Sequence, residues 1–89
     1  MAAQLGEWFS FGLDGYKQAL LARLLPGDEI KVQVHTYTEK LRKKRTKVIV
    51  VTLSGISREH FFATLPKGGT NLFRWNDALE YRKLDERAA

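Results

Sequence analysis

From Glu29 to Thr38 the chain reads EIKVQVHTYT, an alternation that an extended strand sorts onto two faces. Ile30, Val32, Val34, Thr36 and Thr38 fall on one face, and Lys31, Gln33, His35 and Tyr37 on the other. A second strand-forming run, KVIVVTLSG, starts at Lys47, and the stretch joining the two is KLRKKRTK, Lys40 to Lys47. Two strand patterns this close predict a long hairpin, with the cationic stretch as the loop at its tip. Lys40, Arg42, Lys43, Lys44, Arg45 and Lys47 contribute six positive charges and no negative one. The 89-residue chain carries a net charge of +5, which leaves −1 for everything outside that stretch. The chain is a near-neutral body with one concentrated cationic segment.

Eighty-nine residues predict a single domain, 1–89, with one core. With no cysteine in the chain, there is neither a disulfide nor a thiolate metal site, so packing and self-association are the expected sources of stability. The lack of cysteine also suits a reducing compartment. No apolar run nears the ~18 residues of a membrane span, and the first residues lack the basic start and apolar block of a signal peptide. A cytoplasmic protein without a membrane partner is expected.

Ahead of the hairpin, LGEWFSF (5–11) is aromatic-rich and reads as a short strand or a plug on the core. Asp14 then caps a helix, DGYKQALLARLL, with Tyr16, Ala19, Leu20, Leu24 and their neighbours forming one broad buried face. Pro26-Gly27-Asp28 stops it. After the cationic stretch, Val48, Ile49, Val50, Val51 and Leu53 are apolar without alternation, the pattern of a central strand covered on both faces. HFFATL (60–65) and NLFRW (71–75) read as a third and a fourth strand about the turn Pro66-Lys67-Gly68-Gly69-Thr70. Residues 76–89 are rich in helix formers behind Asn76 and Asp77, and a C-terminal helix is the favoured reading. Leu79 and Tyr81 would face the core if the segment were a strand instead. The predicted class is α+β: an N-terminal helix packed on a four-stranded antiparallel meander that curls into a small, partly open barrel, with a flat sheet carrying helices on one face as the competing architecture.

The segment Asn71-Leu72-Phe73-Arg74-Trp75-Asn76-Asp77-Ala78-Leu79-Glu80 loosely resembles the Asn-Leu-x-Leu-x-Asp-Ala-x-Glu stretch of the first motif of the Sm-like fold. The resemblance implies an SH3- or Sm-like shape and, in that family, a ring-shaped oligomer. Leu65-Pro66-Lys67-Gly68-Gly69 stands where the family has an aspartate, and no second motif is present. No binding residue is carried over.

Function is read from the charge. A cationic loop meets nucleic-acid phosphates and releases their condensed counterions. Lys31, His35 and Tyr37, on the polar face of the adjoining strand, bring donors and a ring beside Lys40, Arg42, Lys43, Lys44, Arg45 and Lys47. Basic charge interleaved with rings favours single-stranded RNA or DNA. Lys67 and Arg74 would extend the patch if their turn lay nearby. A bland reading stands beside this one: lysines on a ribbon also discourage edge-to-edge aggregation. The alternative function is a protein-interaction or assembly module whose hairpin docks on an acidic partner. An enzyme ranks last, because His35 and His60 have no third group at diagnostic spacing. No catalytic residue, metal ligand or cofactor is assigned.

Overall fold

The structure is a computed structural model and describes residues 5–38 and 43–84. Six strands form one antiparallel sheet: β1 (Leu5–Ser10), β2 (Glu29–Thr38), β3 (Lys43–Ile56), β4 (His60–Thr64), β5 (Thr70–Arg74) and β6 (Ala78–Leu84). Their order is β1-β6-β2-β3-β4-β5. Helix α1 (Gly15–Leu21) follows β1, and a 3-10 turn, Trp75–Asp77, links β5 to β6. The meander read from the sequence is present as β2 to β5, whereas the helix is not N-terminal and the sheet has two more strands.

The correction at the C-terminal end has a clear cause. Segment 76–89 is expected to be helical from its sequence; residues 85–89 lie outside the described residues, and in the rest β6 lies between β1 and β2 and pairs with both. Both edges of its backbone are hydrogen-bonded, while Ala78 and Tyr81 are buried in the core. Tertiary pairing of this kind overrides intrinsic helix propensity.

These pairings forbid a flat sheet. β5 and β6 are four strand spacings apart in the order, about 19 Å if laid flat. The chain from Arg74 to Ala78 can stretch only about 14 Å. The sheet must curl, which brings Trp75 against Phe61 (centroids 4.6 Å apart) and Phe11 (5.8 Å). Phe61 itself is fully buried. Among the described residues no ladder joins β5 to β1 or β6, so the sheet remains open.

Asp14 caps α1 as expected, its Oδ1 accepting from the Lys17 amide at 3.0 Å. The helix ends earlier than Pro26. Arg23 adopts a left-handed conformation (φ 56°), its amide donates to Leu20 O (3.1 Å), and the Leu24 amide donates to Ala19 O (3.0 Å). This pair of bonds is the Schellman closure, which satisfies the last carbonyls before the proline is reached. The broad buried face is also narrower than expected: within α1 only Gly15 and Ala19 are buried, and Leu20 and Leu21 are exposed. Small residues let the helix lie close, since a Cβ on Gly15 would meet Trp75 at 3.0 Å.

Asp28 is the one buried charged residue among those described. Its Oδ2 accepts from the Leu25 amide (2.8 Å) and its Oδ1 from the Leu84 amide (3.1 Å). The carboxyl therefore ties the turn before β2 to the end of β6.

Candidate nucleic-acid interface

β2 and β3 pair without interruption from Glu29↔Thr52 to Thr38↔Lys43. The strand neighbours stop much earlier. β6 pairs with β2 only as far as Val32, and β4 with β3 only from Thr52 onwards. From Gln33↔Val48 to Thr38↔Lys43 the hairpin is a two-stranded ribbon with no third strand among the described residues, about 17 Å long at 3.3–3.4 Å per residue. It lies on a molecule measuring 51 × 30 × 21 Å.

The cations are carried differently from the way the sequence suggested. Strand β3 begins at Lys43, so Lys43, Lys44, Arg45 and Lys47 belong to the ribbon and not to a loop. An antiparallel ladder gives every residue on the second strand a partner on the first, and β2 is strongly patterned to extend. Register places Lys43 opposite Thr38, Lys44 opposite Tyr37, Arg45 opposite Thr36 and Lys47 opposite Val34. Lys40 and Arg42 lie outside the described residues.

Along β3 the face that builds the core changes character. Leu53 and Val51 are buried and Ile49 is half-buried, whereas Lys47 and Arg45, next on the same face, are exposed. Among the described residues no further strand pairs beside the hairpin beyond Val34 and Ile49, and charge replaces apolar surface where burial ends. β3 is central in the order but is not covered on both faces, because Val48 and Thr52 are exposed. On the other face of the ribbon, exposed His35 has its Nδ1 3.2 Å from Thr46 Oγ1. This cross-strand partner was not anticipated from the sequence.

Lys31 does not join this surface. Its Nζ lies 3.6 Å from Glu80 Oε1 and 4.4 Å from the Trp8 ring centroid, over the body of the sheet. Arg82 packs on the same ring at 4.5 Å, and its Nε donates to Glu29 Oε1 at 2.9 Å. Glu29 and Glu80 are thus engaged by body cations. Lys47 makes no ion pair among the described residues.

The two remaining basic positions separate. Thr64 pairs with Thr52 and Thr70, which puts Lys67 in a turn on the ribbon side of the sheet. Arg74 pairs with His60 at the opposite end. Among the described residues no three His, Asp or Glu side chains converge as a metal site, and no helix is long and apolar enough to cross a membrane.

The class defined by these features is a small, β-rich domain with a projecting cationic ribbon. No family model, curated protein or solved structure matches the chain.

Proposed function

We propose that this protein is a non-enzymatic nucleic-acid-binding domain that grips the phosphates of RNA or DNA with its β2–β3 ribbon. The reading rests on one observation: the core face of β3 turns from Val51 and Ile49 to exposed Lys47 and Arg45 where the ribbon leaves the sheet. Alternate residues on a strand are about 6.6–6.8 Å apart, so cations at i and i+2 form a row suited to successive phosphates. His35 on the reverse face adds a ring and a donor. Single strands are the favoured ligand, since a ribbon with charge and rings tracks a backbone whose bases are free to stack. We also read β2 to β6 as a partly open barrel of SH3- or Sm-like shape, supported by the short link between β5 and β6.

The test is purification from the producing cell, with absorbance spectra recorded before and after nuclease and high salt. Co-purifying nucleic acid that is absent from a variant with Ser at Arg42, Lys43, Lys44 and Arg45 is the expected result. A protein partner that survives nuclease treatment and needs the same cations would instead select the assembly reading.

A further inference from the structure

At the end of the sheet away from the ribbon lies a cleft of about 460 Å³. It is assembled from three distant segments. Tyr16 comes from α1, Arg58 and His60 from the β3–β4 connection and the start of β4, and Arg74 and Trp75 from the end of β5 and the 3-10 turn after it. Trp75 is buried, with its Nε1 donating to Ser57 O at 2.8 Å. The half-buried Tyr16 ring stands edge-on to it at 6.3 Å and 90°. Arg58 and Arg74 are exposed and make no ion pair among the described residues.

Two carboxylates share the cleft. Asp14 and Glu59 also line it, with Asp14 Oδ1 already accepting from the Lys17 amide. This mixture is not a general anion trap. Guanidinium groups take a phosphate, a carboxylate accepts from an exocyclic base amine, and an aromatic wall takes a base face. The neighbouring sheet surface continues the theme, because the cross-strand pair Phe62↔Leu72 adjoins His60↔Arg74 and both of its side chains are exposed.

We infer that this cleft is a second contact site, which holds one nucleotide unit of a single strand. Its phosphate lies on Arg58 and Arg74, and its base against Tyr16. The choice of ligand rests on the nucleic-acid reading of the ribbon; the site itself does not. Along β3, Lys47 and Ile56 are about 30 Å apart. A long strand can engage both ends, whereas a dinucleotide can engage only one.

The experiment titrates a 5′-phosphorylated adenine dinucleotide into the full chain and follows amide and indole signals by NMR, with adenosine and inorganic phosphate as separate arms. The expected result is movement of the Trp75 indole and His60 signals, with affinity reduced about fivefold or more in the Arg58→Ser/Arg74→Ser variant. Tyr16→Leu should weaken the dinucleotide and leave phosphate unaffected. Shifts confined to the ribbon, no shifts, equal affinity for phosphate alone, or indifference to the double substitution would each overturn the site. Arg45→Ser/Lys47→Ser separates the two claims. Dinucleotide binding retained in that variant supports the cleft independently of the ribbon. A long oligonucleotide that depends on the ribbon while the cleft stays silent leaves the ribbon reading standing and removes this one.

Discussion

The inner and outer halves of β3 share a backbone conformation and a partner strand, yet they do opposite work. From Ile49 to Leu53 the inward side chains meet Ile30, Val32, Phe61 and Ala63 in a common core. From Lys43 to Val48 the strand has only β2 beside it among the described residues, and the described side chains are exposed. The ladder alone sustains extension in the outer half, so its side chains are released from packing. A sheet can therefore project a charged arm without a separate domain, provided that the pairing is specified at its base. Lys67 at the ribbon end and Arg74 at the cleft end show the same division in miniature, one on each side of the body.

Substitutions that treat the two halves alike are the strongest way to break this comparison. Phe61→Ala empties a site with no solvent exposure, beside rings at 4.6 and 5.6 Å, and should cost about 3–5 kcal/mol in urea unfolding. The four-serine ribbon variant should change unfolding free energy by no more than about 0.5 kcal/mol. A ribbon substitution as damaging as Phe61→Ala would show that the arm is part of the core. Asp28→Ala is the next largest effect, at about 3 kcal/mol, because two amides lose their acceptor in a buried place. Its oligonucleotide affinity should be unchanged under conditions where the variant is folded. A smaller effect than that of Asp28→Ala is a gain. Arg23→Gly relieves a left-handed residue at the helix end and should raise stability by about 0.5–1 kcal/mol, seen as a higher denaturation midpoint with unchanged slope.

Local chemistry made much of this molecule readable in advance. The alternation of β2, the Asp14 cap and the turn built on Gly68 and Gly69, both with positive φ, are written in adjacent residues. What stayed hidden depends on partners far along the chain. β6 carries helix-forming residues and becomes a strand because β1 and β2 flank it. Lys31 looks like part of a basic face until Trp8 and Glu80 are placed against it. The leucines of α1 have the periodicity of a buried face, but Gly15 and Ala19 make the close approach. The cationic run was legible as charge, though not as strand, since its extension is imposed by the register with β2. The cleft was not legible, because its residues lie near positions 16, 58 and 74 and meet only when the sheet curls.

The central claim is that the ribbon's charges engage a polyanion together. The direct measurement is the affinity for a fluorescent single-stranded oligonucleotide as salt is raised. Six phosphates neutralised by the cations of 40–47 predict a slope of log K against log salt of about −4, falling to about −1.4 in the four-serine variant, which keeps Lys40 and Lys47. A flat line for the parent protein, or the same slope in both proteins, would contradict it.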